Sequence, residues 1–282
     1  MDEWLRLQQD HPHVAFNYKN FNGGVNTFGN GFHHLYHGEP YIGMPENWDI
    51  NILRQYQTVI TWNPRFYENY RAVINMKLVM GVLGCNAPGL FDDPVTWDRK
   101  IHGVCILNNM YGTGRLGDIY WLRNEVMQNL GGKLASHVWC TKRWGGACYQ
   151  GAVDSPYHHS HPNQLRKISE YKFCLALESS YHSFWTSGFV TERILNCFRA
   201  GTIPIYMGAY DIERYVPTDL FIDFRKYWPS LNVNRDYDQL TRDLETFPKD
   251  KYEDMVGRAR EWVKTCRLGS IPDLEGLLRS IE

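Results

Sequence analysis

Charged and hydroxyl-bearing residues gather in two stretches of the sequence that each follow an apolar run. Residues 108–115 read NNMYGTGR, and residues 178–193 read ESSYHSFWTSGFVTER. The glycines of the first stretch would let the backbone approach a ligand, and Arg115 can pair with a phosphate group. Glu192 and Arg193 come at the start of a predicted helix, where the helix dipole attracts anions. Both stretches therefore suit a phosphate-bearing ligand, although a solvated arginine is the simpler interpretation for each stretch alone.

The elements around these two stretches alternate between strands and helices. Short apolar runs at 104–107, 134–140, 172–177 and 202–206 predict strands. Between them, apolar residues recur at helical spacing, and a glycine follows each helix at Gly131 and Gly201. Such alternation predicts a parallel sheet covered by helices. In sheets of this kind, ligands bind beyond the carboxyl ends of the strands, which is where both stretches fall.

The rest of the chain divides around this α/β region. Residues 1–56 are rich in Gly, Asn, His and aromatic residues and show poor periodicity, whereas 57–62 predict a buried strand. We therefore predict a smaller N-terminal lobe over 1–99 and a Rossmann-like lobe over 100–265. Helices are predicted at 236–247 and 250–266. The last residues, 266–282, predict a C-terminal helix that could pack back on the first lobe.

Composition excludes several classes of protein. The chain has 282 residues, and 30 Lys and Arg stand against 31 Asp and Glu. This balance argues against a DNA-coating or polybasic membrane protein. Seven cysteines without a C-x-x-C motif argue against a disulfide framework or a structural zinc site. No apolar run approaches the ~20 residues of a membrane span. We expect a cytoplasmic protein, with a piece of a longer Golgi-type protein as the alternative.

Residues 171–227 resemble the donor-binding signature of the α1,3-fucosyltransferases. The chain reads YKFCLALES, FVTER, GTIPIYMG and PTDLFI, where that family reads approximately YKF-x-L-x-FEN, YVTEK, GT-[IV]-P-[IV]-Y-x-G and P-x-SFI. The four motifs occur in the family's order. The resemblance extends more weakly to ILNNMYGTGR and, in the first lobe, to the GEP of residues 38–40.

This resemblance implies a fold and an activity. The fold is α/β, with two Rossmann-like lobes of the GT-B type, a reduced N-terminal lobe and an active site in the cleft between the lobes. The activity is inverting, metal-independent transfer of a sugar, usually fucose from GDP-fucose, to a hydroxyl group of an oligosaccharide or glycoprotein glycan. The implied reaction uses the nucleotide sugar as co-substrate and needs no cofactor. From the composition we expect no nucleic acid as a partner and no membrane span.

The resemblance also implies roles for five residues around the donor. Glu192 should lie by the donor sugar and the ribose. Arg193 stands where the family has Lys and should contact the diphosphate or ribose, while Arg115 should bind the diphosphate from the opposite loop. Ser179 and Phe189 occupy the places of the family's Asn and Tyr.

The general base is assigned to the first lobe. Inverting transfer needs a carboxylate to take the proton of the attacking hydroxyl group. The resemblance implies Glu39 as the best match, and Glu39 follows the aromatic run FHHLYHG, which could be a strand that ends at the cleft. Glu46, in MPENWD, is the alternative, and both could be ordinary loop carboxylates.

Two patterns resemble metal sites without predicting one. The only D-x-D motif, Asp236 to Asp238, is better explained as a helix start. Histidines crowd residues 33–37 and 158–161, but no closed tetrahedral set is evident in the sequence. Scattered surface or acceptor-contacting histidines are the favoured interpretation.

The departures from the family pattern leave the donor open. Ser179, Phe189 and Arg193 replace the family's Asn, Tyr and Lys, and a site that hydrogen-bonds its substrate discriminates through such groups. The alternatives are the same fold with a UDP-sugar donor such as UDP-xylose, or a binding protein for nucleotide sugars or glycans that lacks catalysis.

Overall fold

Two parallel β-sheets form the framework of the computed structural model, and each belongs to one lobe. The structure describes residues 7, 9–18, 24–27, 30–82, 91–92, 94–108, 114–139, 146–153, 162–228 and 235–281. Both sheets are entirely parallel over these residues. The predicted α/β class with two Rossmann-like lobes is therefore confirmed.

The first sheet is small and follows the chain order. Its four strands are β1 (Val14–Phe16), β2 (His34–Tyr36), β3 (Thr58–Thr61) and β4 (Met76–Leu78), paired as β1-β2-β3-β4. Two helices of this lobe are α1 (Ile50–Leu53) and α2 (Pro64–Tyr70). The sequence predicted β3, and it marked the run around β2 as a possible strand. β1 and β4 were not predicted, because three residues are too few to show a strand period.

The second sheet has six strands and a reversal of strand order. They are β5 (Ile101–Ile106), β6 (Ala135–Trp139), β7 (Tyr149–Gly151), β8 (Tyr171–Leu177), β9 (Ile203–Met207) and β10 (Ile222–Asp223). The order is β10-β9-β8-β5-β6-β7, so the direction of winding reverses between β5 and β8. A crevice opens at the carboxyl ends of the strands at such a point. Both chemistry-bearing stretches follow these two strands, so the sheet brings them together.

The helices of the second lobe and the C-terminus agree with the predicted pattern, except that the helix at Pro162–Ser169 was not predicted. They are α3 (Tyr120–Gly131), α4 (Pro162–Ser169), α5 (Glu192–Ala200), α6 (Tyr237–Glu245), α7 (Lys249–Thr265) and α8 (Ile271–Ile281). Gly201 ends α5 in the left-handed conformation, with φ of 66°. Asp236 caps α6 by accepting a hydrogen bond from the Gln239 N–H. The interpretation of the D-x-D motif as a helix start is thus confirmed.

Aromatic side chains join the two lobes at the carboxyl ends of their sheets. Trp48 packs edge-to-face on Trp62, with ring centroids 5.4 Å apart, and also on Trp185 of the second lobe at 5.7 Å. Tyr41 stacks on the same Trp185 at 4.5 Å. The Asn63 side-chain amide donates to the Phe184 carbonyl at 2.9 Å. The lobes therefore share a packed interface next to the cleft.

The C-terminal segment contacts the first lobe. The Gly269 N–H donates to the Met80 carbonyl just beyond β4, at 2.7 Å. Leu274 and Leu278 of α8 are buried in the same apolar cluster as the strands of the first sheet. A cavity of about 260 Å³ lies beside this contact, and none of the predicted site residues lines it. The exact domain boundaries stay a prediction.

The predictions about disulfides and membrane spans can be compared with the structure only over the described residues. The cysteines that the structure describes are free thiols, and Cys85 and Cys140 lie outside the described residues. Among the described helices, none is long and apolar enough to cross a bilayer.

Replacing Trp62 by Ala should destabilise the protein strongly, because its fully buried ring packs against Trp48 and Phe189. We expect the free energy of unfolding to fall by about 3–5 kcal/mol in urea titrations. Trp121→Ala is the matched control, since that ring is 43% exposed and should cost about 1 kcal/mol or less. Equal losses in the two variants would contradict the proposed interface.

Candidate functional site

Glu39 is brought to the cleft by the turn that follows β2. Its side chain is half-buried, and Arg193 and Glu192 of the second lobe both act on its charge. Burial raises the pKa of the Glu39 carboxyl; Arg193 opposes this shift and Glu192 adds to it. The Glu39 carboxylate of the first lobe thus lies within electrostatic reach of the two residues that begin α5.

Arg193 is held by a buried carboxylate that the sequence analysis did not select. Its Nη1 lies 2.6 Å from Oε2 of Glu178, the first residue after β8. Glu178 also accepts hydrogen bonds from the Thr191 N–H at 3.0 Å and the Thr191 hydroxyl at 2.8 Å. Burial raises the pKa of Glu178, and the Arg193 guanidinium opposes that shift. The pair therefore fixes the first turn of α5 against the end of β8.

Two glycines near Glu178 lie where a side chain would collide with neighbouring atoms. A Cβ atom at Gly208 would lie 2.0 Å from the Glu178 Cγ, so this position beyond β9 requires glycine. Buried Asp211 holds the loop ahead of α5 by accepting from the Ser187 hydroxyl at 2.7 Å and from the Gly188 N–H at 2.8 Å. At Gly188, with φ of 76°, a Cβ would lie 2.4 Å from the Trp62 carbonyl. The loop is consequently tied to both lobes.

A second buried arginine lies behind the pair. Arg123 on α3 donates from Nη2 to the Leu177 carbonyl at 2.8 Å, and its guanidinium stacks over the Tyr120 ring at 4.5 Å. Its charge acts on Arg193, Glu178 and Glu192. Two guanidinium groups therefore lie near the start of α5, together with the carboxylates of Glu178 and Glu192.

Arg115 reaches across the cleft to the first lobe. Its Nη1 donates to the Ile42 carbonyl at 2.5 Å and to the Gly43 carbonyl at 3.2 Å. Arg115 precedes α3, which begins at Tyr120, five residues later. Residues 109–113 of the same loop lie outside the described residues. In this structure Arg115 links the loop after β5 to the turn that carries Glu39.

Ser179 and Phe189 are both buried. The Ser179 carbonyl accepts from the Ile119 N–H at 3.1 Å, which joins the loops after β5 and β8. The Phe189 ring packs on Trp62 of the first lobe, with centroids 5.1 Å apart. Their predicted contacts with the donor stay a prediction.

Glu46, the alternative base, and the histidines of the first lobe have surroundings that differ from those of Glu39. Glu46 lies in the first turn of a 3₁₀ helix, Pro45–Trp48. His37 is fully buried against Trp48, and burial lowers its pKa to about 3. His33 stacks on His13 at 5.0 Å. Within the described ranges, no three His, Cys, Asp or Glu side chains converge as a metal site would require. His158, His159 and His161 fall outside those ranges.

Comparison with known families finds a match to part of the second lobe. Residues 121–253, a little under half of the chain, match the model of glycosyltransferase family 10 (fucosyltransferase), C-terminal domain. The matched residues lie within the second lobe and are similar to this C-terminal domain. The resemblance to the α1,3-fucosyltransferases is therefore confirmed.

Individual relatives match over a shorter segment. The chain is 36% identical over 67 residues to 4-galactosyl-N-acetylglucosaminide 3-alpha-L-fucosyltransferase 9 of Homo sapiens, a match that covers 23% of this chain and 18% of the human protein. It is 35% identical over 60 residues to an alpha-(1,4)-fucosyltransferase of Arabidopsis thaliana, covering 21% and 14% of the two chains. The match is thus confined to a small part of each relative.

Solved structures share the fold of both lobes. An alpha1,3-fucosyltransferase aligns with a TM-score of 0.50 at 17% identity, over 84% of this chain and 70% of the other. An alpha-glucosyltransferase in complex with UDP-glucose and DNA aligns with a TM-score of 0.56 at 8% identity, over 87% and 72%. These neighbours are glycosyltransferases of the GT-B type, which confirms the predicted two-lobed fold.

Three charged or polar residues of the site were missed from the sequence. Glu178 stands at the Glu of the family's FEN motif, so the motif itself could have pointed to it. Arg123 sits in a helical pattern where it resembles a surface residue, and Asn17, whose side-chain oxygen accepts from the Glu39 N–H, lies in a stretch without periodicity. Their roles depend on contacts between residues far apart in the chain.

Glu178→Gln should destabilise the fold, because the Arg193 guanidinium, only 16% exposed, would lose its carboxylate. We expect a loss of about 3–5 kcal/mol in the free energy of unfolding at pH 7. Glu213→Gln removes a carboxylate from Arg225 at a site where Glu213 is 51% exposed and should cost less than about 1 kcal/mol. The idea fails if urea titrations give the two variants similar stability.

Proposed function

We propose that this chain is a glycosyltransferase that moves fucose from GDP-fucose to a hydroxyl group of a glycan, with inversion at the anomeric carbon and without a metal ion. One observation carries the proposal: the partly buried Glu39 of one lobe lies within electrostatic reach of Arg193 and Glu192 of the other. A carboxylate opposite an anion-binding helix start is what an inverting sugar transfer requires.

Glu39 would act as the general base. It would accept the proton of the acceptor hydroxyl while that oxygen attacks the anomeric carbon, and the bond to the diphosphate would break on the opposite side. Because burial raises its pKa, the carboxylate takes up a proton more readily than an exposed glutamate does. Glu192, at the first turn of α5, would lie by the donor sugar and ribose.

Arginines and a helix N-terminus would stabilise the departing nucleoside diphosphate. Arg193 lies in the first turn of α5, where the helix dipole also favours negative charge. Arg115 is already extended across the cleft toward the turn of Glu39. These groups supply the positive charge that a divalent cation supplies in other transferases, which supports the metal-independent form of the proposal.

GDP-fucose is the favoured donor because the relatives that match are named fucosyltransferases. Ser179 and Phe189 weaken that choice: in place of the family's Asn and Tyr they offer a shorter polar group and no hydroxyl. A UDP-sugar such as UDP-xylose is therefore the competing donor on the same scaffold.

A donor panel tests the substrate directly. Saturation-transfer NMR with GDP-fucose, GDP-mannose, UDP-xylose, UDP-galactose and UDP-N-acetylglucosamine should show selective binding of GDP-fucose. Hydrolysis of the bound donor without acceptor would then separate an enzyme from a binding protein. Selective binding of a UDP-sugar would overturn the sugar assignment but keep the scaffold, whereas binding without hydrolysis or transfer would favour the non-catalytic alternative.

Glu39→Gln should abolish transfer and leave donor binding intact. Loss of a general base costs about 100- to 10,000-fold in kcat, whereas the amide preserves the shape of the side chain. In the wild-type protein, kcat should fall as pH drops through the raised pKa of Glu39, since only the carboxylate accepts a proton. Glu46→Gln is the matched control and should retain kcat. If Glu39→Gln stays active and Glu46→Gln does not, Glu46 is the base.

A further inference from the structure

We infer that Asn17 is the positioning residue of Glu39: its side-chain oxygen sets the backbone that carries the proposed base. This inference rests on the proposed function, because it concerns the same carboxylate. It is carried by a set of hydrogen bonds at the carboxyl end of β1, next to the end of β2.

One oxygen atom of Asn17 accepts three hydrogen bonds. Its Oδ1 lies 2.9 Å from the Gly38 N–H, 3.0 Å from the Glu39 N–H and 2.6 Å from Nδ2 of Asn47. Oδ1 of Asn47 in turn accepts from the Tyr18 N–H at 2.7 Å. The two amides therefore join the chain after β1, the turn after β2 and the 3₁₀ helix at Pro45–Trp48.

Few other residues would fit at positions 17 and 38. Asn17 has φ of 78°, a left-handed conformation that Asn tolerates better than most residues other than glycine. Its side chain is buried, so loss of its oxygen would leave the Gly38 and Glu39 N–H groups without their side-chain acceptor. At Gly38, a Cβ would lie 2.9 Å from Nδ2 of Asn17. Glycine at 38 and asparagine at 17 thus form one close-packed contact.

The opposite side of the same turn is held by the second lobe. Arg115 binds the carbonyls of Ile42 and Gly43, and a Cβ at Gly43 would lie 3.2 Å from Oε2 of Glu39. Asn17 fixes the N–H groups where the turn begins, and Arg115 fixes the carbonyls where it ends. The direction of the Glu39 carboxylate is therefore set by one contact from each lobe.

Asn17→Ala should release the turn without removing the base. We expect kcat to fall about 10- to 100-fold, because a small displacement of a catalytic group has an effect of this size. Affinity for GDP-fucose should stay within about twofold, since Arg193 and α5 are untouched. Hydrogen exchange of the Gly38 and Glu39 amides, followed by mass spectrometry or NMR, should become faster.

Asn17→Asp separates positioning from bulk stability. The aspartate keeps an acceptor for the two backbone N–H groups but adds a negative charge beside Glu39. Arg193 and Glu192 on α5 already act on the charge of Glu39, Arg115 binds the end of the same turn, and buried His37 precedes it. The fall in kcat on acidification should therefore begin at a higher pH than in the wild-type protein, and activity should recover at alkaline pH. Asn51→Asp, the same change at an exposed site of this lobe, should leave the profile unchanged.

Each possible result for the two Asn17 variants either supports or overturns the inferred role of Asn17. Unchanged amide exchange or kcat in Asn17→Ala overturns it, and so does an Asn17→Asp profile that coincides with the wild-type one. If Asn17→Ala does not fold, the pH profile of Asn17→Asp carries the test. If the wild-type protein transfers no sugar, the proposed function fails by itself, and amide exchange in the two variants still decides whether Asn17 holds this turn.

Discussion

The burial of charged side chains at the cleft between the two lobes is the constraint on which the rest of this structure depends. Glu178 is fully buried, and it can stay there because Arg193 and Thr191 occupy its oxygens. The same guanidinium acts on Glu39 of the other lobe. A buried carboxylate, an arginine and a second carboxylate form one electrostatic unit, so a change at any of them alters the others.

Packing and polar contacts hold that unit at one geometry. The reversal of strand order between β5 and β8 places two loops at one crevice, and aromatic rings close the lobes around it. Gly188 and Gly208 matter because each allows a close approach that a side chain would block. The loop before α5 therefore has little freedom, which suits a site that must stabilise charge as it develops.

The second lobe could be predicted from its sequence far better than the first. Its strands are long enough to show apolar runs, and Gly201 and Asp236 mark helix ends by local chemistry. In the first lobe, strands of three or four residues lie between loops, so Val14–Phe16 and Met76–Leu78 left no periodic signal. Of the site, the family motif pointed to Glu192 and Arg193, whereas Arg123 and Asn17 act through partners distant in sequence. Such contacts form only once both sheets are assembled.

Arg115 shows how a single side chain can serve both lobes in turn. Its hydrogen bonds to the carbonyls of Ile42 and Gly43 are made to neutral acceptors, which bind a guanidinium less strongly than a diphosphate does. Under the proposed function, a donor diphosphate in the crevice would compete with these carbonyls for the same group. Since those carbonyls end the turn that begins at Glu39, transfer of Arg115 to a diphosphate would change the constraint on the base at the moment of donor binding. Asn17, which holds the other end of the turn, would then be the fixed point of the proposed active site.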